Sequence, residues 1–443
     1  MNVIKGKISS VFFQYSIPSV LGMLAISSAN IVDGFFIGNY VGDFGLAAIN
    51  ISLPIFSLLF GFALMLAIGS SVISGKLIGE GEIKNASIVF SKTIASITLF
   101  SFITCTVLFL NIDTILYLFG ADENLTKIAI EYLSVMLIFI PFLMIGIVLD
   151  YFVRIDNRPN LSFIALLSSA VINFILDWFM IVYLQEGIFG AALATGISQF
   201  ALLVILLPHF FSKKATLRFV KPLGSYAEII KACYNGASEF VNEISLGIMT
   251  LIFNYVMIKN FGVEGIAAFT VIEYLIFIGI MISFGISDSL QPIISKNFGA
   301  KENKRIEEFL KLAFISTSLV GVAMIVFIIF IPDTLANIFL EDTNQKTKQL
   351  VLNFAVFIWI IFLFDGINLV ISAYLTAIHK PLASMIIALS RSFIFPVLFI
   401  FALPFLFDTQ GIFLAIPMAE AITFIIAIIL FRKFSPRKII YNS

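Results

Sequence analysis

The sequence predicts an all-α membrane protein whose twelve transmembrane helices form two pseudo-symmetric six-helix bundles. Three observations predict it: apolar segments long enough to cross a bilayer, basic residues gathered on one side, and a set of residues that returns about 220 positions later.

Of the 443 residues, 60% are hydrophobic and 12% are charged, against about 25% charged in an ordinary soluble chain. There is too little polar surface to face water on all sides. A helical span needs about 20 apolar residues. Twelve segments qualify: 12–37, 48–75, 88–111, 128–153, 161–184, 188–208, 236–258, 265–295, 311–332, 349–376, 382–406 and 411–431. The runs are continuous, whereas barrel strands would alternate in polarity over about 10 residues.

The formal net charge is zero, so only its distribution informs. With a cytoplasmic N-terminus, the outer loops hold only Lys127, Lys259, Lys346 and Lys348 of the 27 Lys and Arg, and Arg391 lies within a span. The rest fall on the inner side. The positive-inside rule therefore predicts a multi-pass inner-membrane protein with both termini in the cytoplasm. A miscounted span would have scrambled this asymmetry. The two cysteines, Cys105 and Cys233, and the two histidines, His209 and His379, have no metal spacing. No nucleophile elbow or phosphate-binding glycine loop is present, and a cleavable signal peptide is not expected because eleven further spans follow the first.

Internal repetition divides the chain. Lys76, Gly79, Glu82 and Lys84 recur as Lys296, Gly299, Glu302 and Lys304, each 220 positions on. Gly45, Ala47 and Ala48 recur as Gly265, Ala267 and Ala268, and Gly187-Ile188-Phe189 returns as Gly411-Ile412-Phe413. The expected organisation is an N-terminal lobe at 1–208, a cytoplasmic linker at 209–235, a C-terminal lobe at 236–432 and a tail at 433–443. Each lobe has an even number of spans. The two therefore share one orientation and are related by an axis along the membrane normal. Paired bundles of this kind suit alternating access to a central cleft.

Ionisable groups in hydrocarbon cost roughly 2.5–3.5 kcal/mol each and persist where they face an interior cavity. Those in the spans are Asp33, Asp177, Glu239, Glu243, Glu273, Asp288, Asp365, Arg391 and Glu420. Acids dominate, which favours cations. Asp177 lies about 12 Å inside the outer end of the fifth span, and Thr195 at the same level of the sixth, from a 1.5 Å rise per residue. Asn173, four residues before Asp177, shares its helix face. With Asp33 in the outer part of the first span, these four residues supply two carboxylates, an amide and a hydroxyl. That set suits a proton or a hard cation such as sodium, and no other metal is expected. In the second lobe, Glu273, Asp365 and Glu420 lie well inside their spans and are candidates for a substrate or second cation site. Glu239 and Glu243, near the inner end of the seventh span, and Asp288 are weaker because water can reach them. Arg391 is expected to pair with one of these acids. Pro18 removes a helical hydrogen bond fifteen residues before Asp33, and reads either as a fixed bend or as a hinge.

At these residues the chain resembles the multidrug and toxic compound extrusion (MATE) transporters, over essentially its whole length. The stretches carrying the resemblance are NIVDGFFIGNYVG at 30–42, the segment 173–199 with Asn173, Asp177 and GIFGAALATGISQ, and QPIISKNFGA at 291–300. The resemblance implies two six-helix lobes and export by antiport against protons or sodium. It also implies a first-lobe cation site at Asp33, Asn173, Asp177 and Thr195, with Pro18 as the hinge. Second-lobe acids, including Glu239, match the family pattern less well, and 236–238 reads Gly-Ala-Ser where many relatives have proline. The function expected is secondary-active efflux of amphipathic, cationic organic compounds by a monomer surrounded by membrane lipids. It involves no nucleic acid, no cofactor beyond the coupling ion, and no enzymatic step. The alternative is a flippase for lipid-linked saccharides. That would call for a basic cavity, and the candidates here are acids.

Overall fold

A computed structural model describes residues 3–222, 224–330 and 345–439. The last two residues of the predicted ninth span and the end of the predicted tail lie outside them. Every regular element among the described residues is helical.

The first half of the chain forms α1 (Ile8–Phe36), α2 (Asp43–Gly79), α3 (Ile83–Leu110), the short α4 (Ile112–Leu118), α5 (Glu123–Ile155), α6 (Pro159–Asp177), α7 (Gly187–Leu206) and α8 (Ala227–Asn235). The second half forms α9 (Ala237–Phe261), α10 (Val263–Gly299), α11 (Asn303–Phe330), α12 (Gln345–Ile358), α13 (Ile361–Ala377), α14 (Pro381–Leu389), α15 (Phe395–Ala402), α16 (Pro404–Phe407) and α17 (Gln410–Lys433). Eleven of the resulting helical stretches are long and apolar enough to cross a membrane. α12 and α13 meet the same test only together, bent by 56° at the break between Ile358 and Ile361, and make a twelfth span if the pair is counted as one. Helices overrun the apolar segments at both ends, as α2 does at 43–79 against a predicted 48–75. Hydropathy records only the part in hydrocarbon, while the backbone ladder continues to a cap. At α5 that cap is Asp122, whose carboxylate accepts from the Leu125 amide at 2.8 Å.

Two compact units result, each with its own apolar core. One gathers Leu21–Phe240. The other gathers Ile4–Val20 with the chain from Val241 onward. These units do not divide where the predicted lobes do. The N-terminal part of the first span belongs to the second unit, the start of the seventh belongs to the first, and the two crossing points are 220 residues apart. The predicted linker at 209–235 is part of the first unit. Asp156 accepts from the Thr216 amide at 3.0 Å and contacts His209 Nε2 at 2.6 Å, while the Ser91 hydroxyl accepts from Val220 N at 2.9 Å.

The repeat is visible in the backbone. Left-handed residues close equivalent turns at Gly42 and Gly262, Gly81 and Lys301, Asn157 and His379, and Gln185 and Asp408. It is visible in side chains too. In the first unit Arg154 Nε donates to the Ser162 hydroxyl at 2.9 Å, Arg154 Nη2 reaches Asp150 Oδ2 at 2.5 Å, and Ser162 donates to Asp150. At the positions 222 residues later, the Ser384 hydroxyl meets Ser372 Oγ at 3.0 Å and Thr376 Oγ1 at 2.7 Å. One unit clasps its paired helices with charges, and the other clasps them with hydroxyls.

Candidate functional site

In the first unit, α7 packs through small residues: Gly190, Ala191, Ala192, Ala194 and Gly196 are all buried, with Gly196 against the Phe139 ring of α5 and Gly190 against Met180 just beyond α6. Ser169 ties α6 to α7 by donating to the Ser198 carbonyl at 2.7 Å. Phe36 of α1 rests against Phe174 of α6 with ring centroids 5.9 Å apart.

These contacts bring together all four residues expected there. Asp33 lies within interaction range of Asn173, Asp177 and Thr195. Thr195 Oγ1 donates to Asp33 Oδ2 over a long 3.5 Å. Asp177 is fully buried and Asn173 nearly so, while Asp33 and Thr195 are half-buried. Both oxygens of Asp177, Asp33 Oδ1 and Asn173 Nδ2 are buried with no hydrogen-bond partner. Two carboxylates facing each other in low dielectric repel strongly unless a positive charge lies between them. A proton or a monovalent cation between the orphaned oxygens would supply that charge.

Two features of this site escaped the sequence. Tyr132 on α5 is buried within electrostatic reach of both Asp33 and Asp177. It sits near the end of its span, where tyrosine ordinarily anchors the interface, so nothing in the sequence singles it out. The second feature is helical geometry. A π-helical segment, Ile37–Val41, follows Asp33 by one turn, and another, Trp178–Tyr183, begins directly after Asp177. Such widened turns are frequent at functional sites.

The second unit contains a different arrangement. Arg391, in a third π-helical segment at Ser390–Ile394, donates from Nη2 to Asp365. It also reaches Glu420 Oε1 from Nε at 3.1 Å and from Nη2 at 3.0 Å. Asn368 Nδ2 donates to Glu420 Oε2 at 2.7 Å and to its carbonyl at 3.0 Å. The structure thus brings Asp365 and Glu420 together, and Arg391 pairs with both rather than with one. Glu273 does not join them: it is half-buried on α10 and forms no ion pair among the described residues. Glu239 is buried at the start of α9 and belongs to the other unit. Glu243, one turn on, is half-buried, and Asp288 is buried on α10. Pro18 is inside α1, two residues before the chain passes from one unit to the other. No cluster of three or more His, Cys, Asp or Glu residues is spaced for a metal ion among the described residues.

Comparison with known proteins agrees with this architecture. The multidrug export protein MepA of Staphylococcus aureus strain N315 is 25% identical over 436 residues, covering 96% of this chain and 94% of that protein. MepA of Staphylococcus haemolyticus is 26% identical over 427 residues, covering 94% and 92%. A solved outward-facing multidrug resistance MATE family transporter superposes with a TM-score of 0.92 at 20% identity, covering 99% of this chain and 98% of that one. The MatE family model matches residues 18–179 and again 240–402, one match in each half. The chain belongs to the MatE family of membrane transporters.

Proposed function

We propose that this protein exports amphipathic, cationic organic compounds across the cytoplasmic membrane in exchange for an inward-moving proton or sodium ion, working as a monomer with both termini in the cytoplasm. The observation that carries this reading is the unpaired carboxylate couple of Asp33 and Asp177, with its orphaned oxygens in the interior of a membrane-spanning unit. A fixed scaffold has no use for two facing carboxylates without a counter-charge. A coupling site requires them, because its positive charge must arrive and leave. The multidrug export proteins similar to this chain support the choice of cargo, as does the acidic rather than basic character of the buried groups.

In this cycle a cation from outside enters between Asp33 and Asp177, with Asn173, Thr195 and Tyr132 adding oxygen ligands or hydrogen bonds. Binding favours the conformation to which the cation binds better, by as much as its affinities for the two conformations differ. The membrane potential adds roughly 2.3 kcal/mol per charge per 100 mV. Release of the cation inside resets the couple. Efflux of a fluorescent organic cation from proteoliposomes, under proton and sodium gradients imposed separately, tests the proposal. Efflux driven by one of them is expected. Efflux indifferent to both would remove the antiport reading.

A further inference from the structure

We propose that the segment between the sixth and seventh spans, Phe211 to Tyr234, is a membrane-surface platform that binds the anionic phospholipid headgroups of the adjoining leaflet. The motivating observations are a fixed orientation, an exposed apolar stripe and an exposed basic set, all within the first unit.

The orientation is fixed from beneath. Leu217 is fully buried and Ala215 nearly so. The Thr216 and Leu217 amides donate to Asp156, and the Arg218 and Val220 amides to Ser87 and Ser91. Lys92, itself buried, donates to the Ser225 carbonyl at 2.8 Å and to Glu228 at 3.0 Å, tying the segment to α3. Helix α8 turns Ile229, Ala232 and Asn235 inward. Its fit against α2 is close enough that a Cβ on Gly69 would run into the Ala232 carbonyl. The helix therefore cannot roll without clashing, and the face it shows outward is set.

That outward face is apolar along one line. Tyr226, Ile230 and Tyr234 follow one another at four-residue intervals and are 47%, 72% and 48% exposed. Phe211 is 72% exposed on the same segment. The same segment carries Lys213, Lys214, Arg218, Lys221 and Lys231, all exposed, against a single acid, Glu228, which Lys92 engages. Large apolar groups interleaved with cations make little sense facing open water. They match the headgroup boundary, where aromatic rings settle at the interface and cations meet phosphate. The charge complement selects anionic over zwitterionic lipid. A lysine or arginine near such a surface strengthens association by about fivefold, the equivalent of about 1 kcal/mol. Because the platform is hydrogen-bonded to α3 and α5, a lipid bound there also bears on the first unit itself.

The test uses the full chain reconstituted in phosphatidylcholine bilayers with trace spin-labelled phosphatidylglycerol or phosphatidylcholine, reading the motionally restricted fraction of each. The wild type should prefer phosphatidylglycerol, and high salt should erase the preference. Replacing Lys213, Lys214, Arg218, Lys221 and Lys231 together by Gln should remove most of it, while Lys84→Gln with Lys304→Gln and Lys311→Gln should not. Ile230→Ser with Tyr234→Ser should weaken association of both lipids at this site. Inorganic phosphate should not compete, since of the five exposed cations only Lys231 lines the cavity between α3 and α8, where Glu228 also stands. A wild-type preference that persists in high salt would overturn the proposal. So would an equal preference in the five-residue variant, or displacement by phosphate alone.

Discussion

Each unit holds a pair of facing carboxylates, and the pairs differ in what else faces them. Asp33 and Asp177 face each other with a threonine, an asparagine and a tyrosine around them and, among the described residues, no basic side chain paired to either. Asp365 and Glu420 face Arg391, and Asn368 donates to Glu420 as well. The repeat supplied both units with the same helical frame, down to left-handed turns at matching positions. A tethered guanidinium answers the acids of one unit. Under the proposed function the acids of the other are answered from outside, and a charge that has to be fetched can couple to a gradient. The helix clasps diverge too, with the Asp150–Arg154 ion pair bridged by the Ser162 hydroxyl in the first unit where the second uses only the hydroxyls of Ser372, Thr376 and Ser384.

This contrast can be broken in graded ways. The largest effect is expected from Asp33→Asn or Asp177→Asn. Either should abolish gradient-driven efflux in proteoliposomes while the protein still purifies as a folded monomer. Undiminished coupled efflux in both would move the site elsewhere. Next, Arg391→Met should destabilise the second unit by about 3–5 kcal/mol, because it leaves two buried carboxylates uncompensated. The loss should show as a lower thermal midpoint in detergent, and adding Asp365→Asn with Glu420→Gln should recover much of it. If Arg391→Met alone is neutral, the acids are not charged against it. At the clasps, Ser162→Ala should cost about 1.5–3 kcal/mol and Ser384→Ala about 0.5–1.5 kcal/mol, since bonds to charged partners are worth more. Equal midpoints for the two variants would erase that distinction. Smallest of all, Tyr132→Phe should weaken cation binding by about 0.5–1.5 kcal/mol, one neutral hydrogen bond, without shifting the thermal midpoint. No change in affinity would place the Tyr132 hydroxyl outside the site.

Hydropathy and charge asymmetry made the spans legible, because lipid demands long continuous apolar helices whatever the fold. The repeat was legible where close packing calls for glycine, as at Gly45 and Gly265, where a Cβ would run into the preceding turn. It was hidden where a left-handed turn is made by Gly in one half and Lys in the other, as at Gly81 and Lys301. Asp33, Asn173, Asp177 and Thr195 could be grouped from depth because each stands out against an apolar run. Tyr132 could not, since a tyrosine near a span end has an ordinary interfacial explanation. The break between α12 and α13 carries neither proline nor glycine: the residues there are Trp359 and Ile360. Local propensity gives no warning of it. Nor does composition reveal that residues 4–20 pack with the second unit or 227–240 with the first, because that depends on packing partners far along the chain.

The most direct test of the unequal pairs is equilibrium binding of the coupling cation to purified protein, read as labelled sodium bound or as protons taken up. It should be measured in the wild type, in Asp33→Asn with Asp177→Asn, and in Asp365→Asn with Glu420→Gln. The account predicts that binding vanishes in the first double variant and survives in the second. Binding retained by the first and lost by the second would contradict it.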